Sequence, residues 1–203
     1  NRSAGSLVVN CIIAKNKKQG IYYYSSSSNS YICNCTIIDN NGVGIELKYP
    51  AVNITNCIVL DNYCEQIKGA TSSTKITYTN SYKTDTMTIY PGHIPFAGIG
   101  NINEEPAFIS EKDYHLLPES PCVDAGTNDA NFIEPNDIDG SLRTIDGNSD
   151  GIATADMGAY EYDTHQPAIA VWADRIVCLK NAENQVKGKI YIKNAGTGTV
   201  NCE

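Results

Sequence analysis

Three stretches of this chain are near copies of one another: residues 10–16 read NCIIAKN, residues 34–40 read NCTIIDN and residues 56–62 read NCIVLDN. They recur at spacings of 24 and 22 residues. A unit this short cannot bury an apolar face alone, so successive copies must stack on one another. The alignment extends outward on both sides. Val8, Ile32 and Ile54 stand two residues ahead of the leading asparagines, and Ile76 continues the series. Ile13, Ile37 and Val59 follow those asparagines, and Ile21, Ile45 and Ile67 come later in each unit, with Gly20 and Gly44 just before two of them.

No segment sustains the i, i+3, i+4 spacing of a helix. Three short strands per unit, joined by polar corners, describe a coil of parallel strands, an all-β chain. Parity explains the leading asparagine. With Ile54 pointing inward, strict alternation sends Asn56 inward and Cys57 outward. A bend at Asn56 resets the phase and returns Cys57 and Val59 to the interior. Asparagine tolerates the left-handed conformation such a corner needs. The reading predicts three columns: Val8, Ile32 and Ile54; Cys11, Cys35 and Cys57; Ile13, Ile37 and Val59. Asparagine amides are expected to bond along the stack. Three Phe and one Trp against thirteen Tyr suit strands and polar turns.

This pattern resembles the right-handed parallel β-helix of the pectate-lyase-like superfamily, over residues 7 to about 82. The resemblance implies the fold and leaves function open, since lyases, hydrolases, adhesins and stalks share it. Further on, "EEPAFISEKDYHLLPESPCVDAG" and "DMGAYEY" resemble the end segment of secreted bacterial β-helix proteins, with Glu105-Pro106 where Asp-Pro is usual. That resemblance implies a terminal turn and cap over the open coil end, and assigns His115 a structural part. The expected organisation is coils at 1–90, an irregular cap at 91–163, a linker at 164–168 and antiparallel strands at 169–203. The last segment resembles the opening of an immunoglobulin-like β-sandwich, and is too short to complete one.

Asp146, Asn148 and Asp150 occupy alternate positions ahead of Gly151, as in the first half of an EF-hand-type loop. Asp156 falls one position early, and Met157 stands where the bidentate Glu belongs. The expected ligand is calcium, held by Asp146, Asn148, Asp150, the Ile152 carbonyl and Asp156; the alternative is a series of Asp-Gly turns. Cys11, Cys35 and Cys57 read as buried free thiols rather than a metal or redox ladder. Cys33, Cys64 and Cys122 lie off that column, Cys178 and Cys202 lie near the C-terminus, and their pairing stays open. His93 and His165 have no metal or triad spacing.

A net charge of −8 argues against a nucleic-acid partner. No apolar run reaches membrane-spanning length, and the first residues lack the pattern of a signal peptide. The sequence opens inside a repeat, so a longer parent chain is expected. Eight cysteines and the bacterial end segment point to a secreted or cell-surface location. Within the coils, acids are sparse. Asp39 and Asp61 align in adjacent units, either as an acidic pair or as solvated turn residues, and no catalytic set emerges. The leading reading is a structural or assembly segment of a larger surface protein, bound to neighbouring subunits. A polysaccharide-binding module is the alternative, with Tyr22, Tyr23 and Tyr24 as candidate glycan contacts. A fragment of a lyase or hydrolase with its catalytic coils elsewhere is the third.

Overall fold

The computed structural model describes residues 5–24, 29–49, 51–82 and 98–163, together with strands at 169–172, 179–180, 186–187 and 191–194. The serine-rich loop at 25–28, residues 83–90 of the expected coils, His93, the expected linker at 164–168 with His165, and Cys178 and Cys202 lie outside the described residues. The chain divides into two compact units, 1–162 and 163–203. Among the described residues, all regular structure is β, and no helix is long and apolar enough to cross a membrane.

The first coil contains β1 (Leu7–Val9), β2 (Ile12–Ala14) and β3 (Ile21–Tyr23). The second contains β4 (Ser30–Cys33), β5 (Thr36–Ile38) and β6 (Ile45–Leu47), and the third β7 (Val52–Thr55), β8 (Ile58–Leu60) and β9 (Ile67–Lys68). β10 (Lys75–Thr77) and β11 (Asn80–Tyr82) begin a fourth. Equivalent strands pair in parallel, giving sheets β1-β4-β7-β10, β2-β5-β8-β11 and β3-β6-β9, the three walls of a solenoid. The registers place Val8 beside Ile32 and Ile32 beside Ile54. Ile13, Ile37 and Val59 form the next column, and Ile21, Ile45 and Ile67 the third wall's column. Ile37, Ile45, Ile54, Cys35, Cys57 and Val59 are fully buried in the lumen. Cys11, Cys33, Cys35, Cys57 and Cys122 are free thiols. Burial pushes the Cys33 and Cys122 thiols up to about 12, so they act as soft core filler.

The two asparagine positions of each unit do different work. Asn10, Asn34 and Asn56 take φ of 50°, 47° and 52°, the left-handed corner. The closing asparagines carry the ladder along the stack. Asn16 Nδ2 donates to Asn40 Oδ1 at 2.8 Å, Asn40 Nδ2 to Asn62 Oδ1 at 2.9 Å, and Asn62 Nδ2 to Gln66 Oε1 at 2.8 Å. The corner asparagines instead turn outward to another part of the chain.

That part is residues 98–163. It opens with Ile102 bridged to Asn80 and contains one hairpin, β12 (Phe108–Ser110) with β13 (Asp113–Leu116). The sequence reading places this segment over the coil end, and the structure divides it: residues 98–102 stack on the last described coil, where Tyr78 N donates to the Ile99 carbonyl at 2.9 Å and Ser81 N to that of Ile102 at 3.1 Å, and the later residues run along the flank, against the outer face of β2-β5-β8-β11. The cause is the apolar outer face itself. Ile38, Ile58 and Leu60 point outward and form a second core with Tyr114, Leu116, Cys122, Met157 and Tyr162. Corner side chains fasten the flank. Asn10 Nδ2 donates to the Asn136 carbonyl at 2.7 Å, Asn34 Nδ2 to that of Asp156 at 3.4 Å, and Asn56 Nδ2 to that of Thr127 at 2.9 Å. Gly158 presses close at φ +102°, where an added Cβ would meet Ile58 Cδ1 at 2.8 Å, so only glycine fits.

The second unit has two antiparallel pairs, β14 (Ile169–Trp172) with β17 (Tyr191–Asn194) and β15 (Leu179–Lys180) with β16 (Val186–Lys187).

Candidate functional site

Each coil turns a second left-handed corner after its middle strand, at Lys15, Asp39 and Asp61, with φ of 56°, 54° and 47°. Their side chains form a charged column on the outside of the solenoid. The β12–β13 hairpin and its approach stand opposite. Between them lies a cleft of about 500 Å³, floored by Ile38 and Leu60 and walled by Pro106, Phe108 and Tyr114. Its charged groups are Lys15, Asp39, Asp61, Glu105 and Glu111. Lys15 Nζ donates to the Glu111 carbonyl at 2.9 Å, which ties the column to the hairpin. Burial raises the Asp39 carboxyl above its ordinary range; Lys15 opposes this, and Asp61 and Glu111 add to it. The sequence shows the aligned aspartates, but nothing in it brings Glu105 and Glu111 across from them.

The proposed calcium ligands are split by the fold. Asp146, Asn148 and Asp150 share an exposed turn whose oxygens accept from its own amides. Asp150 N donates to Asp146 Oδ1 at 3.0 Å and to Asn148 Oδ1 at 2.8 Å, and Gly151 N donates to Asp146 Oδ2 at 2.9 Å. The Ile152 amide donates to Asp150 Oδ1 at 2.8 Å. Asp156 does not join them. Its side chain is 1% exposed, with Oδ1 accepting from Asp124 N at 2.7 Å and Oδ2 from Tyr162 N at 2.6 Å. Among the described residues, no three His, Cys, Asp or Glu side chains are gathered as a metal ion would need. Asp124 lies beside the turn: its Oδ2 accepts from Asn148 N at 2.7 Å, and its Oδ1 is buried without a hydrogen-bond partner.

Beneath Asp156 is a charged cluster that sequence reasoning missed. Arg143 and Glu161, both buried, pair at 2.7 Å. Arg143 also reaches Asn10 Oδ1 at 2.6 Å and the Ala159 carbonyl at 3.1 Å. Glu161 Oε2 accepts from Asp156 N at 3.0 Å, and Glu161 N donates to Asp137 Oδ2 at 2.9 Å. Burial and neighbouring Asp156 push Glu161 upward against the pull of Arg143. The arrangement clamps the flank segment to the first corner. The available signal was a lone Arg inside an acidic stretch, which demands partners when buried.

Of the three candidate glycan contacts, Tyr22 and Tyr24 are 54% and 64% exposed, whereas Tyr23 is 6% exposed and its hydroxyl donates to Ser30 Oγ at 2.6 Å. Alternation along β3 turns Tyr23 inward. Tyr49 from the next coil takes its place: its ring lies 5.3 Å from that of Tyr24, which lies 6.3 Å from Tyr22.

Residues 1–82 match the family described as "Right handed beta helix region". No curated protein and no solved structure matches the chain. With parallel coils paired over the same residues, the matched region is a right-handed β-helix repeat.

Proposed function

We propose that this chain is a structural β-helix segment of an extracellular or cell-surface protein, acting as a rigid body that presents its outer walls to neighbouring subunits. The observation that carries this reading is the use made of the repeated polar residues. The closing asparagines bond to one another, and the corner asparagines bond to the flank segment. The polar repeat therefore serves rigidity. The antiparallel pairs of the second unit suit the start of an immunoglobulin-like module of the kind appended to surface proteins.

Calcium belongs to the same proposal. Asp146, Asn148 and Asp150, with the Ile152 carbonyl, would hold it once the carboxylates turn from their own amides toward the ion. The partnerless Asp124 oxygen beside the turn favours a cation there. Asp156 is left out of this set.

The test is the Asn34→Ala/Asn56→Ala double variant under heat and limited proteolysis. A flank that is integral to the body should be released, with cleavage inside 105–162 and a lower Tm. A variant as protease-resistant as the parent would overturn the reading.

A second reading is polysaccharide binding, favoured by the exposed Tyr22, Tyr24 and Tyr49 rings. Tyrosine faces stack on the C–H faces of sugars while the hydroxyls stay hydrated. Glycan-array binding lost in Tyr24→Ala would support it, and an array without signal would remove it.

A further inference from the structure

Asn40 and Asn41 are neighbours in the turn after β5, and the fold treats them in opposite ways. Asn40 is buried and bonded on both sides in the closing ladder. Asn41 is exposed, and among the described residues nothing bonds to its side chain. Its successor is Gly42, in the sole Asn-Gly pair of the sequence. The preceding coil demands glycine there: an added Cβ would meet the Lys18 carbonyl carbon at 2.8 Å and Gln19 N at 2.9 Å. The turn is held from both sides, with Asn41 N donating to the Asn16 carbonyl at 2.8 Å and Cys64 N to the Gly42 carbonyl at 3.1 Å. The Gly42 amide donates to nothing among the described residues.

We infer that Asn41 is a site of spontaneous covalent modification, converting to aspartate and isoaspartate through a cyclic imide with Gly42. The Gly42 nitrogen loses its proton to solvent and forms a bond to Asn41 Cγ; the Cγ–Nδ2 bond breaks and ammonia leaves. Water then opens the five-membered ring at either carbonyl, so no oxidant or cofactor enters. Closure needs a side chain at liberty to turn back on the chain. It also needs a following nitrogen that neither carries a bulky neighbour nor serves as a donor. Residues 41 and 42 meet both conditions. The three Asp-Gly pairs, open to the same closure with loss of water, fail the second. Gly140 N donates to the Asp137 carbonyl at 3.2 Å, Gly151 N to Asp146 Oδ2 at 2.9 Å, and Gly147 N to the Asp124 carboxylate. The two products differ in consequence. Aspartate adds only charge at an exposed position. Isoaspartate routes the main chain through the side-chain carbon and adds one atom between Asn40 and Gly42. The bonds to Asn16 and Cys64 fix both ends of that stretch to the adjoining coils, so the extra atom must break one of them. The second coil thus carries a weak point that grows with the age of the molecule.

The experiment is incubation of the whole chain for weeks in mildly alkaline buffer made with oxygen-18 water, native and in urea. Peptide mapping by mass spectrometry locates the heavy oxygen, and an isoaspartyl methyltransferase marks the isoaspartate. The native chain should take up label at residue 41 and not at Asp139, Asp146 or Asp150. In urea, where their glycine amides are released, those three should be labelled as well. Asn41→Gln, whose longer side chain would have to close a disfavoured six-membered ring, should lose the uptake at residue 41. The position is exposed, so this variant should keep its fold. In hydrogen exchange, the isoaspartyl fraction should lose protection at Cys64 N relative to Asn41→Asp. A native chain unlabelled at residue 41 overturns the inference. So do native labelling of the Asp-Gly pairs as fast as of Asn41, Asp-Gly pairs as silent in urea as in the native chain, label persisting in Asn41→Gln, or an isoaspartyl fraction that exchanges no faster at Cys64 than Asn41→Asp.

Discussion

Arg143 meets Glu161 at 2.7 Å in a site where each side chain is 1% exposed, and the same guanidinium reaches back across the fold to Asn10 in the first corner. Removing the cation leaves buried acid groups without their partner. Arg143→Met is expected to cost about 3–5 kcal/mol in urea unfolding. Arg143→Met/Glu161→Gln should recover part of that loss, because the second change removes the stranded charge. A double variant no more stable than the single one would mean the pair is not coupled.

Stability should fall as pH rises from 5 to 8, for two reasons of the same sign. His115 lies between Asp113 and Asp139, 2.8 Å from Asp139 Oδ2, and stacks on Tyr160. Burial alone pulls its imidazole down, but the two aspartates together hold it above its ordinary value. Its contribution is therefore complete below the unfolded value of about 6.5 and is lost as pH climbs through the folded one. Asp156 is raised to about 7, chiefly by burial. The folded state thus holds its proton where the unfolded chain has lost it, and stability drops across about pH 4 to 7. Melting temperatures at pH 5, 6.5 and 8 check the slope, and His115→Gln should flatten its upper half. A Tm that climbs over this range contradicts both assignments.

Asn40 bonds to Asn16, to Asn62 and to the Ile13 carbonyl, and is buried. Asn40→Ala orphans groups on both neighbouring coils, at about 1–3 kcal/mol each. Asn53, with one long contact of 3.4 Å to the Ser30 carbonyl, is the control. Its alanine variant should differ from the parent by less than about 0.5 kcal/mol. Equal losses at the two sites would deny the ladder its special weight.

Ile37 faces the lumen and Ile38 faces the flank segment. Truncation of either to Ala should cost about 2–5 kcal/mol. For Ile38 this is diagnostic, because on a bare solenoid it would point at water. A small effect at Ile38 alone would mean that the flank does not pack there in solution.

Millimolar calcium is expected to raise the melting temperature, with an affinity on the order of 10⁻⁴ to 10⁻³ M. Asp150→Ala should abolish the rise. Asp156→Asn should lower Tm equally with and without calcium, since its oxygens hold Asp124 and Tyr162. Superimposable melting curves in calcium and in chelator would leave only a hydrogen-bonded turn.

The coils were legible because their information is periodic: Ile32, Cys35 and Ile37 recur at fixed offsets, and a column follows from the offset alone. The flank was written just as plainly, in another form. Ile12-Ile13, Ile37-Ile38 and Ile58-Val59-Leu60 are apolar at adjacent positions, the mark of a wall buried on both faces. Only the inner half of each doublet had an assigned partner. Tyr23 belongs with Ile21 by alternation and not with the exposed Tyr22 and Tyr24. Asp156 was misplaced by counting onward from Asp146, past the point where Ala155 and Met157 turn into the core. The acidic cleft needs Glu105 and Glu111 brought across from Asp39 and Asp61, a long-range placement that no local pattern encodes.

A solenoid has no intrinsic length: any number of like coils can be added without changing how each meets the next. The flank segment removes that freedom here. It meets Asn10 with Asn136, Asn34 with Asp156, Asn56 with Thr127, and Asn80 with Glu104. It therefore acts as a ruler laid against the stack. Duplicating or deleting one coil between Asn10 and Asn80 would shift every later corner by about 4.8 Å relative to its mark. The repeat count over this stretch is thus fixed by a segment that does not itself repeat.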